Sequence, residues 1–163
     1  MKSFPGQLSS KDQIASMLRV NLAGEYGAKR IYEGQLAVLK NSSVAPVLEH
    51  MKAQELTHLK AFESLVVQNK VRPTLLHPLW HAAGYALGAA TAYLGEKAAM
   101  ACTAAIEEVI DQHYEKQLNL LGDENPELSQ LIYTCQQEEL EHRDIALEQG
   151  ARDTPAYPLL THA

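Results

Sequence analysis

Two Glu-x-x-His motifs are the residues in this sequence most suited to chemistry. Glu55 is followed by His58, and Glu139 is followed by His142. On an α-helix, residues three apart lie on one face with their Cβ atoms about 5–6 Å apart, so each pair can reach a common point in space. Carboxylate and imidazole groups together suit iron or manganese better than a metal that prefers thiolates. Each motif therefore predicts part of a metal site.

Two further glutamates extend these motifs into a near-repeat. Glu25 precedes the first motif by nearly the same distance as Glu107 precedes the second, and Tyr32 and Tyr114 follow these glutamates at equal spacing. One Glu from each of two helices and a Glu-x-x-His motif from each of two others is the ligand pattern of dinuclear carboxylate bundles. We therefore predict a dinuclear site with six ligands: Glu25, Glu55, His58, Glu107, Glu139 and His142.

The predicted ligands fall where the helical pattern requires core residues. One such inward-facing stripe consists of Leu128, Ile132, Cys135, Glu139, His142 and Ala146. Unpaired ionised carboxylates in an apolar core cost several kcal/mol each, and four of them facing one another repel. Two divalent cations would balance four carboxylate charges. The alternative is an ordinary helical bundle with surface Glu/His pairs, which requires several helices to be rotated by about 100° at once.

Four long segments rich in good helix formers must position these residues, and no segment shows the alternation typical of a strand. We predict an all-α chain with core helices over residues 11–40, 44–69, 96–121 and 126–149, and a tail of little periodicity over 151–163. Ser43 and Asn125 are candidate N-caps of the second and fourth helices. Short connections predict an antiparallel bundle in a single domain over residues 1–163.

Residues 73–95 contain no Lys, Arg, Asp or Glu. The segment is long enough to span a bilayer, but its glycines and many alanines make it only weakly hydrophobic. We expect either a buried or loosely packed helix that leads into the third core helix, or a surface that docks on a membrane. In the second case Trp80, Tyr85 and Tyr93 would lie near the lipid headgroups.

Composition excludes several classes of protein. The 163 residues allow one domain with a sizeable core, and the net charge of −6 argues against nucleic acid as a partner. Cys102 and Cys135 form no CxxC motif, so we expect neither a disulfide framework nor a zinc-thiolate site and infer a reducing compartment. The first ten residues carry neither an apolar signal segment nor an amphipathic Arg/Ser-rich pattern, so the sequence signals neither secretion nor organelle import, although a processed chain would look the same.

Several other residues receive weaker assignments. We expect Tyr32 and Tyr114 to be core residues near the site, and Cys135 to be a small core residue. One of Glu138, Glu141 and Asp144 could orient a ligand histidine, although a solvated face is the simpler interpretation. His113 is either near the site or on the surface. Structural or solvent-exposed positions are expected for the remaining histidines: His50, His77, His81 and His162.

The segments around the six predicted ligands resemble the demethoxyubiquinone hydroxylase family, whose members are membrane-associated di-iron monooxygenases of ubiquinone biosynthesis. The matching segments are LAGEYGAKRIYEGQ at 22–35, QELTH at 54–58, MACTAAIEEVIDQHY at 100–114 and EELEH at 138–142. The resemblance extends from about Arg19 to Tyr157 and includes all six ligands. It implies a ferritin-like antiparallel four-helix bundle with a di-iron site in its core and an apolar membrane-docking segment between core helices two and three.

The resemblance also implies a reaction and its cofactors. Glu25, Glu55 and His58 would hold one iron ion, and Glu107, Glu139 and His142 the other, with Glu55 and Glu139 bridging. O2 would be the oxidant that hydroxylates the ring of a polyprenylated methoxy-benzoquinol, demethoxyubiquinol. The electron donor would be NADH or the reduced quinol substrate. No catalytic residue beyond the metal ligands is implied.

A substrate with a polyprenyl tail implies an enzyme on a membrane surface. The expected location is the cytoplasmic face of a bacterial inner membrane, or the mitochondrial inner membrane if the chain is eukaryotic and processed, with residues 73–95 as the docking surface. The implied partners are the quinol, the membrane surface, a lipid-binding helper protein and a second copy in a homodimer.

The sequence departs from the family pattern at two places. Leu22 stands where the family often has His, which affects a contact near the site rather than a ligand. The family continues past Tyr157 with another amphiphilic helix, whereas this sequence ends at Ala163, so a truncated C-terminus is expected.

Two other functions use related sites. A ferritin-like ferroxidase or iron-binding protein would have a similar ligand set but no apolar docking segment. A rubrerythrin-like peroxidase usually carries a CxxC module, which this sequence does not contain.

Overall fold

The computed structural model describes residues 10–161, and within them the chain is helical without a strand. Its α-helices are α1 (Ser10–Leu39), α2 (Ala45–Gln68), α3 (His77–Tyr93), α4 (Glu96–Leu121), α5 (Pro126–Glu148) and α6 (Ala156–Thr161), with a 3-10 helix at Ala151–Asp153. The all-α prediction is confirmed, and the four predicted core helices match α1, α2, α4 and α5 closely. His162 and most of the N-terminal segment considered above lie outside the described residues.

Local signals account for most of the helix ends. The side chain of Asn125 accepts a hydrogen bond from the backbone N–H of Leu128 at 3.1 Å, which confirms the predicted N-cap of α5. The prediction for Ser43 is wrong, because its hydroxyl donates instead to the Glu96 carboxylate at 3.1 Å. That contact joins the α1–α2 connection to the start of α4. Gly150, with a φ of 88°, ends α5 in the left-handed conformation.

The tail is more ordered than its sequence pattern predicts. It contains the 3-10 helix and α6, although its sequence shows little helical periodicity. Ala151 is fully buried, and Tyr157 and Leu160 pack against a core cluster. Tertiary packing therefore supplies the stability that local periodicity does not.

Helices α1, α2, α4 and α5 enclose the core as an antiparallel bundle. Asn21 in the first half of α1 contacts Gln117 near the end of α4, whereas Gln35 near the end of α1 contacts Ala99 near the start of α4. Two apolar clusters fill opposite ends of the bundle, one around Phe62 and the other around Met51. Between these clusters lies a layer of buried polar side chains, which contains the predicted site.

Helix α3 is the crossover between the two halves of the bundle, and it packs along the outside of α1. Gly84 lies beside Gly27, and Gly88 lies beside Ile31, so α3 runs parallel to α1. A Cβ atom at Gly88 would overlap the carbonyl oxygen of Ile31, and one at Gly34 would overlap that of Tyr85. The two backbones therefore approach each other as closely as glycine allows. None of the helices within residues 10–161 combines the length and the apolar character needed to cross a membrane.

Replacing Gly88 should loosen this contact. In Gly88→Ala, the new methyl group would clash with the backbone of Ile31, which cannot move aside as a flexible side chain can. We therefore expect a loss of about 1–3 kcal/mol in the free energy of unfolding. Gly27→Ala is the matched control, because nothing lies within 4 Å of its Cβ position. The control should be neutral or more stable by about 0.5–1 kcal/mol, since alanine favours helix. Denaturant unfolding of both variants measures the difference, and equal stabilities would contradict the close packing.

Candidate metal centre

The six predicted ligands meet in the buried polar layer, although they come from four helices. Glu25 lies on α1, Glu55 and His58 on α2, Glu107 on α4, and Glu139 and His142 on α5, and all six side chains are buried. Their ligand atoms form two groups, and within each group the atoms lie within 4.8 Å of one another. The groups consist of Glu25, Glu55, His58 and Glu139, and of Glu55, Glu107, Glu139 and His142. Glu55 and Glu139 belong to both.

Both imidazole rings direct Nδ1 toward the carboxylates. His58 Nδ1 lies 3.2 Å from Glu25 Oε2 and 3.1 Å from Glu139 Oε1. His142 Nδ1 lies 3.1 Å from the other Glu139 oxygen and 3.4 Å from Glu55 Oε1. Each ring therefore places one nitrogen among the carboxylates and leaves the other for the surrounding protein.

The outward nitrogens are hydrogen-bonded across the α2–α5 interface. His58 Nε2 lies 2.5 Å from Glu138 Oε2, and His142 Nε2 lies 2.9 Å from Gln54 Oε1. Both partners immediately precede the first residue of a Glu-x-x-His motif. The solvated face expected for the three acidic residues is therefore wrong for Glu138, which contacts a predicted ligand histidine as the alternative proposed. It holds for Glu141 and Asp144, which are exposed, and Asp144 pairs with Arg143. Sequence analysis missed Gln54, although its position beside Glu55 matches that of Glu138.

Two tyrosines bind the leading glutamates across the α1–α4 interface. The Tyr32 hydroxyl donates to Glu107 Oε1 at 2.5 Å, and the Tyr114 hydroxyl donates to Glu25. Tyr32 therefore follows one leading glutamate in sequence and binds the other in space, and Tyr114 does the reverse. Both tyrosines are core residues at the site, as predicted. The two contacts are reciprocal, as expected for the two halves of a near-repeat.

The remaining weaker assignments agree with the structure within the described residues. His113 is half-buried and contacts Gln117 rather than the carboxylates. His50, His77 and His81 are exposed, and the last two contact Tyr26 at the α1–α3 interface. Cys135 is a buried core residue, and both cysteines are free thiols.

The carboxylates are not fully satisfied by protein groups. Both oxygens of Glu55 and Oε2 of Glu107 are buried and accept no hydrogen bond from any residue between 10 and 161. Leaving a buried carboxylate oxygen without a donor costs free energy, because water is no longer available to solvate it. Oxygen and imidazole nitrogen donors at this spacing fit two divalent metal ions such as iron or manganese. The residues present therefore fit a dinuclear metal site.

Burial and crowding raise the pKa values of most of these carboxyls. Burial raises the pKa of Glu107 to about 8, and the charge of Glu139 contributes in the same direction. For the same two reasons the pKa of Glu55 is raised well above its usual value. Burial also raises the pKa of Glu25, although its contact with His58 opposes the shift. These carboxyls hold protons more tightly than exposed glutamates do.

The two imidazoles and Glu139 shift toward their charged forms. Burial lowers the pKa of His58, but its hydrogen bonds with Glu139 and Glu25 outweigh this effect and raise the pKa to about 11. Burial also lowers the pKa of His142, but Glu107 and Glu139 outweigh this effect and raise the pKa to about 10. Burial raises the pKa of Glu139, but both histidines more than compensate and lower it to about 2. Without metal, Glu139 is thus the carboxylate that the two imidazolium groups neutralise.

Comparison with known proteins decides the family. A family model described as "Ubiquinone biosynthesis protein COQ7" matches residues 12–163. The chain belongs to this family. The match confirms the resemblance identified from the sequence, and it includes all six residues of the candidate metal centre.

Curated relatives of this family cover nearly the whole chain. The protein from Rhodospirillum rubrum named "3-demethoxyubiquinol 3-hydroxylase" is 58% identical over 161 residues, which are 98% of this chain and 76% of that protein. The human protein named "NADPH-dependent 3-demethoxyubiquinone 3-hydroxylase, mitochondrial" is 52% identical over 155 residues, with 93% and 71% covered. The Saccharomyces cerevisiae "5-demethoxyubiquinone hydroxylase, mitochondrial" is 40% identical over 162 residues, with 89% and 70% covered.

The stability of the metal-free protein should fall as pH rises. The folded pKa values of Glu107, His58 and His142 exceed their unfolded values, so between about pH 4.5 and pH 10 the folded state binds more protons than the unfolded state. We expect chelator-treated protein to lose stability from pH 5 to pH 9, by about 1.4 kcal/mol per pH unit for each excess proton. Denaturant unfolding at several pH values measures the slope.

Glu107→Gln provides the matched control for this slope. The amide keeps the size of the side chain but removes one titrating group, so the pH dependence between pH 5 and pH 8 should become shallower by up to one proton. Equal slopes for the two proteins, or a stability that increases with pH, would contradict the assignment.

Proposed function

We propose that this protein is a di-iron hydroxylase that uses O2 to hydroxylate the ring of demethoxyubiquinol, a polyprenylated methoxy-benzoquinol of ubiquinone biosynthesis. The observation that carries the proposal is the buried set of six ligand-type side chains with unsatisfied carboxylate oxygens. Family membership supports the reaction, because curated relatives are named as hydroxylases of this quinone precursor. We further propose a single ferritin-like domain over residues 1–163.

The two groups of ligand atoms support an assignment of residues to each ion. Glu25 and His58 would bind one iron, Glu107 and His142 the other, and Glu55 and Glu139, which belong to both groups, would be shared. Iron bound there supplies the electrons and the Lewis acidity that O2 activation requires. Reducing equivalents would come from the quinol itself or from NADH; the name of the human relative specifies NADPH for that protein.

The chain's own residues prepare the site for this chemistry. The apolar clusters around Phe62 and Met51 exclude water from both sides of the polar layer. Tyr32 and Tyr114 each donate to one oxygen of a leading glutamate and leave the second oxygen available for metal. These contacts fix the carboxylates before the metal binds, which lowers the cost of ordering them.

An apolar groove gives a substrate with a lipid tail a route to the site. The groove lies between α1, α3 and α4, has a volume of about 370 Å³ and is lined by residues that include Ile31, Trp80 and Ile106. Val20 and Gly24 also line an adjoining cavity of about 290 Å³ that reaches Glu25. A prenyl chain in the groove would therefore place its quinol ring toward the carboxylates.

The outer face of α3 and its flanking residues would hold the protein on a membrane surface. Leu79, Trp80, Tyr93 and Leu94 are all exposed, and residues 73–95 contain no Lys, Arg, Asp or Glu. An uncharged apolar face beside the groove suits insertion among lipid headgroups. We propose the cytoplasmic face of a bacterial inner membrane, or the mitochondrial inner membrane in a eukaryote. A lipid-binding helper protein and a homodimer remain predictions from the family resemblance.

Purified protein loaded with iron should contain about two iron atoms per chain and convert demethoxyubiquinol, with reductant and O2, to the hydroxylated quinol. Glu55→Ala should abolish product formation, because Glu55 contributes to both groups of ligand atoms. Glu141→Ala is the matched control on the surface of α5 and should retain full activity. Product analysis by mass spectrometry distinguishes the outcomes. Iron oxidation and storage without product would favour a ferroxidase, and peroxide reduction without product would favour a peroxidase.

Charge on the outer face of α3 should weaken membrane binding. A fully buried apolar side chain contributes about 1.5–3 kcal/mol, so Leu79→Glu combined with Tyr93→Glu should reduce partitioning onto neutral phosphatidylcholine vesicles by at least tenfold. Tyr133→Glu, an exposed aromatic position on α5, is the control and should bind as the wild type does. Vesicle co-sedimentation measures the partitioning, and equal losses in both variants would argue against a specific docking face.

A further inference from the structure

The two halves of the metal centre differ in the groups that hold their histidines. The outward nitrogen of His58 contacts the carboxylate of Glu138 at 2.5 Å, whereas that of His142 contacts the amide oxygen of Gln54 at 2.9 Å. Residues 54 and 138 occupy equivalent places, each directly before a Glu-x-x-His motif. At this position the first half of the near-repeat has the amide of Gln54, and the second half has the carboxylate of Glu138.

The hydroxyl contacts of the leading glutamates do not show this difference. Glu25 and Glu107 each accept a hydrogen bond from a tyrosine of the opposite half, so their protein partners are chemically alike. Glu55 and Glu139 belong to both groups of ligand atoms. The two halves therefore differ in the residue that contacts the outward nitrogen of each histidine, which is Glu138 for His58 and Gln54 for His142.

We propose that Glu138 and Gln54 are positioning residues that make the two metal positions unequal, so that the ion beside His58 is held more tightly than the ion beside His142. This inference rests on the proposed function, because it assumes that the six residues bind metal. Both residues act through an imidazole ring and neither lies within the two groups of ligand atoms.

The physical reason is the acceptor that each ring faces. An acceptor at Nε2 keeps the proton on that nitrogen and leaves the Nδ1 lone pair directed at the carboxylate cluster. A carboxylate acceptor carries negative charge and draws the Nε2 proton more strongly than an amide does, which makes Nδ1 the better electron donor. Replacing such a partner of a ligand histidine typically changes metal affinity by about 10–100-fold.

Exchange of the two partners tests the inference with nearly isosteric variants. In anaerobic protein loaded with iron-57(II), Mössbauer spectra of the wild type should show two ferrous quadrupole doublets of equal area. In Glu138→Gln both rings face amides, and the doublets should converge. The double variant Glu138→Gln/Gln54→Glu moves the carboxylate to the other half and should restore two doublets. Circular dichroism checks that each variant keeps its helical content.

Affinity measurements determine which position binds more tightly. His142→Ala keeps the position beside His58, and His58→Ala keeps the other. We expect Co(II), followed by its visible absorption, to bind His142→Ala about 10–100-fold more tightly than it binds His58→Ala. The double variant His142→Ala/Glu138→Gln should bind Co(II) no more tightly than His58→Ala does.

The possible failures are distinguishable. A wild-type protein that binds neither iron nor cobalt would remove both the proposed function and this inference. Two bound ions with a single doublet, or a pair of doublets unchanged by Glu138→Gln, would overturn this inference alone and leave the proposed function standing.

Discussion

The structure depends on placing four carboxylates and two imidazoles in one layer of an otherwise apolar bundle. The ligand atoms lie within 4.8 Å of one another in two groups, and several carboxylate oxygens have no donor among the described residues. Burial and mutual repulsion raise the pKa values of three of these carboxyls, while the two histidines lower that of Glu139. The fold thus tolerates a cluster that is costly for stability, and the proposed metal ions would supply the missing positive charge.

Reciprocal contacts distribute this cost over both halves of the bundle. Each tyrosine binds the leading glutamate of the opposite half, and each histidine binds a residue on the opposite helix of the α2–α5 pair. Consequently both leading glutamates and both histidines are held by residues of another helix. The helices must be assembled before the polar layer is complete, and this requirement couples the folding of the protein to the geometry of the centre.

Helix α3 connects this centre to the proposed lipid environment. Its glycines pack against the backbone of α1, Trp80 lines the groove, and its outer face exposes Leu79 and Tyr93. The same segment therefore serves as crossover, groove wall and proposed docking surface. The absence of Lys, Arg, Asp and Glu from residues 73–95 is compatible with each of these roles.

The sequence by itself determined which residues could form the centre and which helices carry them. Periodicity of 3.6 residues shows which side chains share a face, so the six candidate ligands and the bounds of the core helices followed from local spacing. Only the tertiary structure decided how the helices are rotated and aligned along their axes. That alignment pairs Tyr32 with Glu107, gives His142 the Gln54 partner, packs α3 parallel to α1 and stabilises α6 against the core. These contacts join residues far apart in the chain, and they depend on side-chain packing that no local pattern records.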